Sequence, residues 1–328
     1  MPTIEPVRPV TLAEIREAQR RIASTIIRTP LVRLDLGLGF PDVRLKLENL
    51  QPINSYKLRG AANAVAMLSP AERSRGVWTI SAGNAGQGVA YAARAAGVPC
   101  AVVAIETAPA SKLERMRALG AKLVLVSYDV AWQTLEARAY AGVEGAFIHP
   151  FDDQAFIAGH GTMGLEILEQ APDTAAVVAS IGGGGLVVGV GSALKSLQPG
   201  IKVFGAEPET AAPLALSLAK GSPQAFVDWK ASFVDGAGGK SVFPRMWERM
   251  KPVVDGSIVA SLEDTKRAMR LLAEKARVIA EGAGALAVAA AMSGKAGPGP
   301  VVAIVSGGNI DLPKFCELVG ELKAESQT

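Results

Sequence analysis

Short β-branched runs alternate with amphipathic stretches of helical period along almost the whole sequence, and this alternation restricts the fold more than any other feature. Strands that each return through a helix pair in parallel, so the pattern predicts open parallel α/β sheets and argues against all-α and all-β architectures. Strands are expected at 43–49, 76–81, 100–105, 122–126, 146–149, 175–181, 202–207 and 301–305. Helices are expected at 12–24, 56–68, 85–96, 110–119, 131–141, 185–197, 264–276 and 282–292. No internal repeat, low-complexity tract or linker interrupts the series, and Gly/Pro clusters fall at turns.

The chain has 328 residues, 49% of them hydrophobic and 20% charged, enough for a sizeable core in one large or two ordinary domains. Net charge is only +3, Lys and Arg are scattered, and aromatics make up 5%, so there is neither a basic stripe nor a stacking platform for nucleic acid. Cys100 and Cys316 form neither a disulfide framework nor a metal-ligand spacing, which fits a reducing, cytoplasmic location. The N-terminus carries no apolar signal segment and reads as a capped helix from about Thr11. One uncharged run, Thr174 to Leu194, has membrane length. Four glycines in its middle would leave backbone groups unpaired in lipid, so it reads as strand, loop and helix start, and no membrane association is expected.

Four strands run directly into small polar or glycine residues: "VRLKLENLQPINSYK", "VWTISAGN", "AAVVASIGGGG" and "VAIVSGGN". In open parallel sheets the ligand crevice lies at the carboxyl ends of the strands, so these loops are expected to converge on one small-molecule site. The glycine loop, Gly182 to Gly185 followed by Leu186, opens a helix and offers backbone N–H groups to a phosphate at its positive end. A glycine-rich packing turn has the same appearance. No G-x-x-x-x-G-K-[ST] occurs, which removes the P-loop. A nicotinamide site stays open, because Gly185, Gly189 and Gly191 form G-x-x-x-G-x-G and Glu207 ends the next strand, where an acidic residue binds a ribose. Against it, no tyrosine has a lysine four residues on, the couple that dehydrogenases with this spacing usually carry. There is no G-x-S-x-G, and His149 and His160 read as structural.

In "SYKLRGA" Lys57 stands where a polar turn becomes a helix. Asn54 or Ser55 is expected to cap that helix, placing the lysine in its first turn, where the positive dipole end lowers an amine's pKa and favours the nucleophilic neutral form. A solvated surface lysine is the alternative.

Together the four loops resemble the fold-type II pyridoxal phosphate enzymes, specifically the serine/threonine dehydratase and serine racemase family, from "RRIASTIIRTPLVRL" at 20–34 to "SGGNID" at 306–311. The resemblance implies a tryptophan-synthase-β-like fold. A small substrate-side domain, 53–148, is inserted in a large cofactor domain of 1–52 and 149–328. It implies that Lys57 joins the cofactor's aldehyde, next to Tyr56. The "SAGN" loop takes the substrate carboxylate and the cofactor's phenolic oxygen, which brings in Ser81, Ala82, Gly83, Asn84, Ala85 and Gln87, with Ser81 and Asn84 in catalytic roles. Gly182, Gly183, Gly184, Gly185 and the N–H of Leu186 hold the phosphate, Ser306 meets the pyridine nitrogen, and Gly236 and Glu281 line the site. The implied reaction is α,β-elimination of a β-hydroxy amino acid, serine- or threonine-like or bulkier as in phenylserine or hydroxyaspartate, to a 2-oxo acid and ammonia. The alternatives are an amino-acid racemase of the same family, a nicotinamide oxidoreductase and an idle cofactor-binding protein. A homo-oligomer, dimer or tetramer, is implied as well.

Departures from the family pattern carry expectations of their own. Ile53-Asn54 replaces the usual Thr-Gly before the lysine motif, and Ala82 and Ala85 replace the second and fifth residues of the asparagine loop. Some members bind a divalent cation through a glutamate and an aspartate six residues later; Glu207 matches the first but Pro213 stands at the second, so no metal is expected. The chain ends shortly after "SGGNID", so no regulatory C-terminal domain and no cooperative inhibition by isoleucine are expected.

Overall fold

The computed structural model describes residues 6–320. Helix α1 (Leu12–Ile22) opens on a capping box between Thr11 and Glu14. Strands β1 (Leu31–Arg33) and β2 (Val43–Lys46) follow, then α2 (Lys57–Ala66), α3 (Pro70–Arg75), β3 (Val77–Ile80), α4 (Asn84–Ala95), β4 (Cys100–Ile105), α5 (Ala110–Ala118), β5 (Lys122–Val126), α6 (Tyr128–Ala137) and β6 (Ala146–Phe147). The chain continues through α7 (Gln154–Gln170), β7 (Ala176–Ser180), α8 (Gly185–Leu197), β8 (Lys202–Pro208), α9 (Pro213–Lys220), α10 (Pro244–Met250), β9 (Gly256–Ala260), α11 (Leu262–Leu271), α12 (Gly282–Met292), β10 (Val301–Ile304) and α13 (Leu312–Gly320).

The strands form two sheets, one of six strands in the order β1-β2-β10-β7-β8-β9 and one of four in the order β5-β4-β3-β6. Every pairing is parallel except that of edge strand β1, which runs antiparallel to β2. The period-2 alternation of a strand explains how the large sheet is covered on both sides. Ala176 and Val178 of β7, with Val301 and Ala303 of β10, pack into the core under α12. Val177 and Ala179, with Val302 and Ile304, point the other way, into the core of α7 and α8. In the smaller sheet Val102 and Ala104 go to one face while Trp78, Ile80 and Val103 go to the other.

Seven elements lie outside the sequence expectations. β1 is an edge strand of three residues, and β9, "GSIVA", begins with two small residues that leave only a short apolar run. α3, α9 and α10 are short helices with proline in the first turn, where its missing N–H costs nothing. α13 at the C-terminal end is also short. The 17-residue α7 is buried almost all round, so it shows no amphipathic face, and Gly159, Gly161 and Gly164 reduce its apparent helix propensity. Those glycines have a packing reason: a Cβ at Gly159 would collide with the Arg59 carbonyl of α2, and one at Gly164 would sit 2.8 Å from the Cβ of Ala193 on α8. α7 thereby lies close against α2 and α8 and ties the two sheets together.

Candidate active site

The four loops converge. One cavity of about 460 Å³ lies where the carboxyl ends of the two sheets face each other, with Tyr56 and Lys57, the 81–84 loop, Gly183 and Ser306 all on its wall.

Lys57 is the first residue of α2, but neither expected cap holds that helix. Tyr56 is the N-cap and makes no side-chain cap, Ser55 Oγ accepts only a long bond of 3.4 Å from the Lys57 N–H, and Asn54 is in the left-handed region at φ 54°. That φ explains the departure before the lysine: glycine is the residue best suited to this conformation, and asparagine tolerates it. Lys57 Nζ donates to the Pro150 carbonyl at 2.8 Å and lies 5.2 Å and 5.4 Å from the ring centres of Tyr56 and Phe156. No carboxylate among the described residues pairs with it, and burial lowers its pKa from 10.5 to about 7. His149 holds the neighbouring turn, its Nδ1 accepting from the N–H groups of Phe151 and Asp152 at 3.3 and 3.0 Å; burial keeps it neutral, with a pKa of about 3.

After β3 the chain turns at Ser81, whose hydroxyl accepts from the Gly83 N–H at 3.1 Å, and α4 begins with no side-chain cap on its first N–H groups. An anion fits that open N-terminus beside Ser81 and Ala82. Asn84 is held from both sides: its amide donates to Glu281 Oε1 at 2.7 Å and its oxygen accepts from Asn309 Nδ2, also at 2.7 Å. Asn309 donates further to the Ile53 carbonyl at 2.8 Å and accepts from the Arg115 guanidinium. Sequence reading misses Asn309, although it is the last residue of the "SGGN" motif. Burial, with Asp235 adding to it, raises Glu281 to about 7, against the opposing pull of Lys112 and the Asn84 hydrogen bond. Ala85 faces the cavity from α4 at 4% exposure, and Gly236 lines the opposite side. Gln87 is one turn further along α4, away from the lining, and 2% exposed.

The glycine loop is built by close contact. A Cβ on Gly183 would overlap the Phe151 ring, and one on Gly182 would sit 2.7 Å from the Gly236 carbonyl. Gly184, at φ 86°, caps α8 in the left-handed conformation. Among the described residues no acceptor takes the N–H of Gly182, Gly183, Gly184 or Leu186. Gly182, Gly184, Gly185 and Leu186 stand behind Gly183, which is the one on the wall. Ser306 is 4% exposed, and its hydroxyl donates to the Ala283 carbonyl at 3.3 Å.

The dinucleotide features serve other purposes. A Cβ on Gly189 would collide with the Ile157 carbonyl of α7 and one on Gly191 would lie 3.0 Å from Val253, so both glycines are helix contacts. Glu207 accepts from the N–H groups of Leu214 and Ala215 at 2.7 and 2.8 Å and from Ser257 at 2.6 Å, capping α9 with both oxygens. It is fully buried, with both oxygens committed to α9 and Ser257 and none facing the cavity.

The family described as pyridoxal-phosphate dependent enzyme matches residues 9–307. The chain belongs to that family. This pyridoxal-phosphate dependent enzyme is 41% identical over 317 residues to the L-threonine ammonia-lyase of Thermotoga maritima, covering 95% of this chain and 79% of the relative. Among solved structures it resembles maize serine racemase at a TM-score of 0.85 and 32% identity, over 94% of this chain and 97% of that one. The T.th. threonine deaminase superposes at a TM-score of 0.80 with 37% identity, over 92% of this chain and 99% of that one. The residues present fit the cofactor. The aldehyde calls for an amine that is neutral near pH 7, the phosphate for unpartnered N–H groups at a helix start, and the ring nitrogen for a small polar group; Lys57, Gly183 with the rest of its loop behind it, and Ser306 supply these at one cavity.

Proposed function

We propose that the chain is an ammonia-lyase that removes the hydroxyl group and the α-proton from a β-hydroxy amino acid as water, the enamine left behind then tautomerising and taking up one water to give a 2-oxo acid and ammonia. The observation that carries this reading is Lys57, an amine of pKa about 7 in a cavity whose other wall is the open N-terminus of α4. When bound, pyridoxal phosphate supplies the electron sink for charge at Cα. The substrate carboxylate lies on the N–H groups at the start of α4 with Ser81, and Asn84, locked by Glu281 and Asn309, fixes its orientation. Lys57 Nζ takes the α-proton as a neutral base. Ser306, a neutral hydroxyl where a carboxylate could stand, would hold the ring nitrogen without placing a negative charge beside it. Release of ammonia and 2-oxo acid in equal amounts from L-serine or L-threonine by the cofactor-loaded protein tests the reading; silence toward every β-hydroxy amino acid contradicts it.

Cofactor loading has a predicted pH dependence. Only a neutral amine attacks the aldehyde, and the neutral fraction of Lys57 grows as pH rises through about 7. The loading rate of apo protein is therefore expected to climb between about pH 6 and about pH 8 and then level off. A rate still climbing at about pH 10 in stopped-flow absorbance would mean an ordinary lysine.

Elimination is expected to outrun racemisation. Returning a proton to Cα from the face opposite Lys57 requires a second donor, and Ala82 on that loop has none. Without one the rate drops by about 10²–10⁴-fold. With L-serine in deuterated water, D-serine is expected to trail pyruvate by that margin, and Ala82→Ser to raise its share; D-serine keeping pace with pyruvate in the unaltered protein refutes the point.

The four-stranded sheet, with its own core clusters, supports the division into a substrate-side domain of 53–148 and a cofactor domain of 1–52 and 149–328. The free thiols Cys100 and Cys316 support a reducing compartment.

A further inference from the structure

The cavity is larger than the cofactor residues and the carboxylate loop account for, and most of its remaining wall is apolar, with Thr107, Lys112 and Asp235 as polar members. Ile80 and Ile105 end β3 and β4, Ala108 lies in the turn after β4, and Ala131, Trp132 and Leu135 come from α6. With Tyr128, the α6 residues are spaced i, i+3, i+4 and i+7, one face of the helix turned toward the site. Trp132 is fixed there: its Nε1 donates to Glu136 at 3.1 Å and its ring stacks on Phe243 at 5.3 Å and 28°. Phe243 in turn meets Phe151, the ring seated on Gly183, at 5.5 Å. Among the described residues the rim carries one cation, Lys112, already neutralised by Asp235 at 2.6 Å.

We propose that this wall receives an aromatic β-substituent, so that the preferred substrate is a 3-aryl-serine; the proposal rests on the ammonia-lyase reading. The hydroxymethyl group of serine or the hydroxyethyl group of threonine reaches too little of the wall to cover it, leaving apolar surface wet. An aryl ring buries that surface and gains edge or stacking contact with Trp132 and Phe151. A second carboxylate, as in 3-hydroxyaspartate, meets no cation on the apolar wall itself, where Lys112 is paired with Asp235 and Lys240 lies outside over the Tyr128 ring, so it loses hydration that the wall does not replace.

The test uses the protein loaded with pyridoxal phosphate. Expected kcat/KM for 3-phenylserine exceeds that for L-threonine by about 10- to 100-fold, and 3-hydroxyaspartate is the poorest of the set. Trp132→Ala, which removes the wall, and Ala131→Leu, which fills the space before it, are each expected to lower the phenylserine value at least about tenfold while leaving that for threonine within about threefold. A binding measurement runs beside the kinetics: L-phenylalanine, which has no β-hydroxyl to lose, is expected to bind more tightly than L-alanine by calorimetry, and Trp132→Ala to erase the difference. Threonine or serine preferred over phenylserine, or both variants affecting large and small substrates alike, overturns the proposal. If no hydroxy amino acid is eliminated, the ammonia-lyase reading falls by itself, and the amino acid binding comparison still decides the wall: equal affinity for phenylalanine and alanine overturns it, tighter phenylalanine supports it.

Discussion

Lys57→Ala is expected to abolish turnover, by about 10⁴-fold or more, in a protein that folds as well as the unaltered one. The substitution removes both the amine that exchanges with the substrate's amino group and the base for the α-proton, and each role alone is worth orders of magnitude. The fold should tolerate it because the side chain ends half-buried against a backbone carbonyl with no carboxylate partner. The pH dependence separates lost chemistry from lost structure. In the apo protein Lys57 titrates at about 7, against the ordinary 10.5, so between these values the unfolded chain binds more protons than the folded one. The desolvation cost is complete below about pH 7 and fades as pH rises toward 10.5. Lys57→Ala deletes that cost: its thermal midpoint relative to the unaltered apo protein should stand highest near about pH 6 and fall back above about pH 8. A variant with normal turnover, or one that is unfolded at every pH, contradicts this role.

The second large effect belongs to a residue outside the cavity. Arg59, two positions after the lysine, has no solvent exposure and its guanidinium is fully engaged. Nε and Nη2 donate to the two oxygens of Glu48 at 2.8 and 2.7 Å, while Nη1 and Nη2 donate to Glu166 at 2.7 and 2.8 Å. Lys46 completes a neutral set of four, donating to Glu166 at 2.6 Å and to the Thr29 carbonyl at 2.8 Å. This cluster fastens the start of α2 to β2 and to α7. Arg59→Met leaves two buried carboxylates facing one cation, and breaking a buried pair in this way costs about 3–5 kcal/mol. The expected outcome is a large fall in thermal midpoint with weakened cofactor retention. Arg59→Lys should rescue it poorly, because an ammonium cannot bridge two carboxylates as a planar fork does. A midpoint shift below about 1 kcal/mol equivalent would show that the cluster is dispensable.

What can be read from the sequence depends on whether a residue's role is local. β7 and β10 are legible because "AVVAS" and "VVAI" are β-branched runs ending at glycine or serine, and the loops that follow announce a shared crevice. α7 is not, because its glycines answer to neighbours on α2 and α8, which no window along the chain contains. The same limit misplaces Gly189, Gly191 and Glu207: their spacing suits a dinucleotide, but their partners are Ile157, Val253 and the start of α9. The lowered pKa of Lys57 is expected from the sequence through the helix dipole, whereas the cause in the structure is burial of the amine. Asn309 and Trp132 take their places through contacts with residues far away in the sequence, Asn84 and Phe243.

The assignment of Lys57 is open to one direct measurement. Purified protein loaded with pyridoxal phosphate, reduced with borohydride and digested, should carry the cofactor's mass on a single peptide containing Lys57, with loss of its visible absorbance on reduction. Cofactor fixed on another lysine, or on none, would contradict the account.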